Sequence, residues 1–107
     1  NELFNDLKNA NKKVIISMPN LSEMSPVIRK IINEIEIPIS FISEAHFENQ
    51  KNRKFIQKDQ IQPFIMIDNE VIWYGIPLST NSLNQSNQSA RLNSPLTIQI
   101  LKGFIDV

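Results

Sequence analysis

Few side chains in this protein have the chemistry to attack a bond, transfer a proton or hold a metal. There is one histidine, His46, within Ser43-Glu44-Ala45-His46-Phe47-Glu48, and there is no cysteine. That inventory excludes disulfide staples and thiolate metal sites, and a lone imidazole leaves no metal cluster. The only glycines are Gly75 and Gly103, so no glycine-rich loop can cradle a nucleotide's phosphates, and the chain does not hydrolyse ATP itself. Lys51, Arg53 and Lys54 are candidate phosphate contacts, although Glu48 flanks them and a solvated loop accounts for the same run. The most specific segment is Ile61-Gln62-Pro63-Phe64-Ile65-Met66-Ile67-Asp68-Asn69-Glu70-Val71-Ile72-Trp73-Tyr74-Gly75. Two apolar runs, the second rich in β-branched and aromatic residues, flank Asp68-Asn69-Glu70 and spell a hairpin. An aspartate opening such a turn has a local hydrogen-bonding reason to be there.

The spacing around this hairpin resembles the signature of the phospholipase D-like superfamily: His, any residue, Lys, four residues, Asp, six residues, Gly-Ser, any residue, Asn. Aligned on Asp68, the His position is Ile61, the Lys position Pro63, and the Gly-Ser-x-Asn stretch falls on Gly75, Ile76, Pro77 and Leu78. Only the Asp and the Gly remain. The run Asp68-Asn69-Glu70-Val71-Ile72-Trp73-Tyr74-Gly75 is similar to the version of the motif in phospholipase D-like domains appended to bacterial DNA helicases. Ala90-Arg91-Leu92-Asn93-Ser94-Pro95 likewise resembles the Met-Arg-Leu-x-Ser-Pro stretch that follows in those domains, and Arg91 joins the candidate phosphate contacts on that ground.

The resemblance implies a fold and a lost reaction. In the superfamily the His attacks a phosphodiester and becomes covalently phosphorylated, a second His from a matching motif protonates the leaving oxygen, and Lys and Asn bind phosphate oxygens. Isoleucine, proline and leucine have no functional group for those steps. Loss of a covalent nucleophile lowers a rate by orders of magnitude, so the resemblance implies a catalytically inactive domain. His46 does not restore the pattern, because Glu48 and Arg53 stand where Lys and Asp would be needed. The implied role is that of an accessory domain of a helicase or other DNA-processing protein. It would act by homodimerisation, by pairing with a heterologous phospholipase D-like half, or by nucleic-acid contact through the parent protein. Ile61, Ile76 and Leu78 would replace a polar pocket by an apolar surface suited to being covered. The alternative is a divergent phosphodiesterase or nuclease half-site completed by another chain. Neither reading requires a cofactor.

The order of elements agrees with such a domain. Glu2 to Ala10 has Leu3, Phe4 and Leu7 at helical spacing, and Lys13 to Met18 reads as a buried strand. Ser25 is a good N-cap with Pro26 at the first helical position, and Val27, Ile28, Ile31, Ile32 and Ile35 follow at helical spacing. Pro38 stops that helix and Ile39 to Ile42 is a second strand, which implies a parallel pair. Glu48 to Lys54 is expected to be loop, Phe55 to Gln57 a further strand, Ser79 to Ser89 a mobile polar loop and Ala90 to Asn93 a short strand. Ser94-Pro95 opens a final helix carrying Leu96, Ile98, Ile100, Leu101 and Phe104. Strand alternation sends Trp73 and Tyr74 to opposite faces, with Trp73 expected to pack in the core. The fold class is therefore α/β: a mixed sheet of about five strands flanked by helices, a phospholipase D-like half-domain.

Bulk properties set the remaining bounds. The 107 residues suit a single domain, and 41% hydrophobic with 21% charged residues is ordinary for a globular core. A formal net charge of +0 argues against a dominant attraction to nucleic acid or membrane. No apolar run reaches membrane-spanning length, and a cytoplasmic setting is the default expectation. The start at Asn1, directly into a helix, suggests that residues 1–107 are one domain cut from the C-terminal part of a longer protein.

Overall fold

The computed structural model describes residues 2–74 and 90–105. The chain runs α1 (Glu2–Lys8), β1 (Val14–Ser17), a 3-10 turn (Leu21–Glu23), α2 (Pro26–Glu34), β2 (Ile39–Ser43), β3 (Arg53–Gln57), β4 (Phe64–Ile67), β5 (Val71–Tyr74), β6 (Ala90–Leu92) and α3 (Pro95–Ile105). The strands form one mixed sheet in the order β3-β2-β1-β4-β5-β6. β1, β2 and β3 are mutually parallel, and β4, β5 and β6 follow as an antiparallel meander beside β1. The sheet is mixed and flanked by helices, as expected, and has six strands. Its two edge strands, β3 and β6, both pair fully along their length.

The strongest apolar runs become the central strands. All four residues of β1 and all four of β4 are buried, because both faces of the sheet are covered there. On one face Val14, Ile16, Ile39, Phe41, Ile65, Ile67 and Trp73 pack against Leu3 and Leu7 of α1 and Ile28, Ile31 and Ile32 of α2. On the other, Ile15, Ile42, Phe64, Met66 and Ile72 pack with Ile98 of α3, and Tyr74 lies against this second cluster. Trp73 and Tyr74 therefore do point to opposite faces.

Local chemistry fixes the element ends. Ser25 accepts a hydrogen bond from the Val27 amide and Pro26 occupies the first turn of α2, as the cap pattern requires. The helix stops at Glu34, before Pro38, and Arg53 of β3 donates to the carbonyls of Ile32 in its last turn, of the C-cap Ile35 and of Ile37 just beyond.

The polar run read as loop up to Lys54 becomes strand from Arg53 onward. Reciprocal backbone bonds join Gln50 and Arg53, and the Asn49 side chain accepts from the Phe55 amide, so this segment occupies outward-facing donors of the β3 edge. The expected Ser79 to Ser89 loop lies outside the described residues.

Candidate functional site

The residues at the His and Lys positions of the motif, Ile61 and Pro63, immediately precede β4. β4 is antiparallel to β1, so its start lies beside the end of β1, with Phe64 opposite Ser17 on one side and Tyr74 on the other. This end of the sheet also receives the carboxyl end of β2 at Ser43, and in open α/β sheets that is where ligands collect. The extended segment is tied down by the buried Ser17 hydroxyl, which donates to the Gln62 carbonyl at 2.7 Å. Ile61 is half-buried and packs against the cluster of Ile15, Phe64, Met66 and Ile72. Pro63 is exposed and sits just outside the ladder, where its missing amide hydrogen costs no strand pairing.

Among the described residues, the polar groups near this end do not form an acid, base or nucleophile system. Burial pushes the Tyr74 phenol up, away from the ionised form. Ser43 donates to the Ala45 carbonyl at 2.8 Å, and Gln57 to the Glu44 carbonyl at 3.2 Å. His46, in the segment after β2, is exposed. Among the described residues no three His, Cys, Asp or Glu side chains are grouped to hold a metal ion.

Asp68 lies at the opposite end of β4, about 16 Å along the strand direction from position 63. Asp68 and Asn69 both have positive φ, 55° and 57°, and the Glu70 amide donates to the Ile67 carbonyl at 3.0 Å to close the turn. The turn role holds, but the carboxylate does more than local bonding. It accepts from the backbone amides of Asn11 at 3.1 and 3.2 Å, Lys12 at 2.8 Å and Lys13 at 3.1 Å. Three successive amides thus converge on one anion supplied by the chain itself, locking the α1–β1 connection to the hairpin. This accounts physically for an aspartate at that position.

The four candidate phosphate contacts do not converge. Lys51, Arg53 and Lys54 lie at the β3 edge and Arg91 at the β6 edge, with five strand spacings or about 24 Å between them. Arg53 spends its guanidinium on α2, and it also donates to the Asn52 carbonyl. Lys51 and Lys54 are exposed. Arg91 pairs with Asp6 of α1 at 2.8 Å, and the same Asp6 oxygen accepts from the Trp73 indole at 2.9 Å. Burial, the largest single influence, pushes the Asp6 carboxyl up, but the hydrogen bonds from Arg91 and Trp73 and the Arg91 charge together bring it below its ordinary value. The Asp6 hydrogen bond in turn raises Arg91.

Asp6 had no signal in the sequence, being one acidic residue on a short amphipathic helix. Gly75, Ile76 and Leu78 lie outside the described residues, and so does any comparison of positions 61 and 76. No helix among the described residues is long and apolar enough to cross a membrane.

No protein-family model matches the chain, and no curated protein sequence does. A search of solved structures finds NucT from Helicobacter pylori, with a TM-score of 0.68 at 16% identity, covering 98% of this chain and 83% of that one. At that identity the likeness concerns the fold: the mixed α/β arrangement of a six-stranded sheet with flanking helices is what the two share.

Proposed function

We propose that this domain is a catalytically inactive phospholipase D-like accessory module of a helicase or other DNA-processing protein, acting through dimerisation, a partner protein or nucleic acid. The observation that carries this reading is the occupancy of the motif positions at the sheet end. Ile61 extends the apolar cluster beneath α3 and Pro63 offers no charge, so neither can attack phosphorus nor bind a phosphate oxygen. Retention of Asp68 supports the same view, since its carboxylate serves the backbone.

A contact role is supported by the outer side of the sheet. Leu96 and Ile100, one turn apart on α3, are 68% and 53% exposed, and Leu92 on the edge strand β6 is also exposed. Apolar side chains left to solvent in this way favour being covered.

The second reading, a divergent nuclease half-site completed by another chain, draws on the fold shared with NucT, a phospholipase D-like nuclease. The two are separated by incubating the purified domain with single-stranded DNA, duplex DNA and a generic phosphodiester in EDTA, which the superfamily's metal-free chemistry tolerates. The proposed reading expects no turnover above buffer. Turnover that co-elutes with the protein peak overturns it.

A further inference from the structure

The side of the sheet away from α3 carries a groove that neither the motif nor the α3 surface explains. It has a volume of about 300 Å³ and lies between α2, the 3-10 turn and the middle of β2 and β3. Its floor is aromatic: the rings of Phe41 and Phe55 stack with centroids 5.1 Å apart and an interplanar angle of 13°. Phe47, from the segment between β2 and β3, leans on Phe55 at 5.5 Å and 45°, and remains 41% exposed at the groove's margin. The opposite wall is α2, which presents Ile32 together with Arg29 and Asn33, one turn apart.

Arg29 gives this groove its chemical direction. Its Nη2 donates to the Leu21 carbonyl at 3.2 Å and the Ser22 carbonyl at 3.5 Å, so the guanidinium is held in place by backbone. Among the described residues no carboxylate lies within ion-pair distance of it; the salt bridge there is between Arg91 and Asp6. A cation with further N–H donors, an adjacent amide and a floor of aromatic ring edges form a complementary set for one kind of molecule.

We propose that this groove binds a small planar aromatic anion, its ring packed on the edges of the Phe41–Phe55 stack beside Phe47 and its carboxylate, or a group of like charge, held by Arg29 with Asn33. The volume suits one or two rings. A single unpaired cation matches one negative charge, whereas a polyanion requires a row of them. The site is independent of the motif end of the sheet, so it stands whether or not the domain is catalytically inactive.

The test uses the 107-residue chain, 2-naphthoate as the probe and its uncharged analogue 2-naphthamide as the comparison. Binding is followed by amide chemical shifts in a nitrogen–proton correlation spectrum. The expected result is saturable shifts centred on residues 21–22, 29–33, 41, 47 and 55, with 2-naphthoate binding about tenfold more tightly than the amide. Arg29→Gln is expected to abolish that preference while the amide still binds. Phe47→Ala, which trims an exposed side chain and leaves the core intact, is expected to weaken both ligands several-fold. Shifts that do not saturate, shifts centred on α3, or a charge preference that survives Arg29→Gln overturn the proposal.

Discussion

Replacing Asp68 separates an architectural aspartate from a vestigial catalytic one, and the size of the effect follows from its bonds. Its carboxylate serves three backbone donors, of which the Asn11 and Lys12 amides are in exposed surroundings and the Lys13 amide is partly buried. Water can replace the acceptor for the exposed amides but less well for Lys13, so deleting the carboxylate is expected to cost about 2 kcal/mol in total. Alanine adds a second penalty, because φ is 55° at this position and a left-handed backbone costs a residue with Cβ about 1 kcal/mol or more. Asparagine tolerates that conformation and keeps one carbonyl oxygen for the amides. The expected order is therefore a loss of about 1 kcal/mol for Asp68→Asn and about 3 kcal/mol for Asp68→Ala, the latter lowering the midpoint by on the order of 15 °C in a domain of this size. Thermal and urea unfolding followed by circular dichroism read both values. A loss under about 1 kcal/mol for Asp68→Ala, or equal losses for the two variants, would refute the clamp argument.

Three further outcomes follow from the same geometry. Asp6 has a folded-state pKa below its ordinary value of 3.8, so its contribution to stability is complete above that value and disappears as pH falls through the depressed one. Asp6→Asn is thus expected to be less stable than the parent near neutrality, with the gap closing below about pH 4 and Trp73 emission reporting the altered indole contact; a gap that widens in acid would contradict this. Arg53→Met removes donors from three carbonyls at the end of α2 and is expected to cost about 2 kcal/mol in urea unfolding, with Arg53→Lys recovering only part because one ammonium cannot span the set. If α3 mediates self-association, sedimentation of the domain will depend on concentration and Leu96→Lys with Ile100→Lys will abolish that dependence; a strict monomer in the high micromolar range would remove the homodimer branch of the proposed role.

The elements that were legible from sequence are those whose cause is local. The apolar run at Val14 to Ile16 marked a buried strand, Ser25-Pro26 marked a helix start, and Asp68-Asn69 between two apolar runs marked the hairpin. Motif spacing around that hairpin also led to the fold class. The edge strand β3 was legible from Phe55 to Gln57, but its polar first residues, Arg53 and Lys54, read as loop because their pairing relies on β2 and on Asn49 and Gln50.

The candidate site divides along the same line. Residue types at 61 and 63 decide from sequence alone that no imidazole or ammonium stands there, since that is a matter of functional groups. What each polar residue is for depended on distance in space. Asp68 meets amides 55 to 57 residues away, Arg53 reaches a helix end 16 to 21 residues back, and Asp6 meets Arg91 across 85 residues. Those partners are brought together by burial of the two apolar clusters, and a hydrogen bond formed as a consequence of packing leaves no periodic trace along the chain.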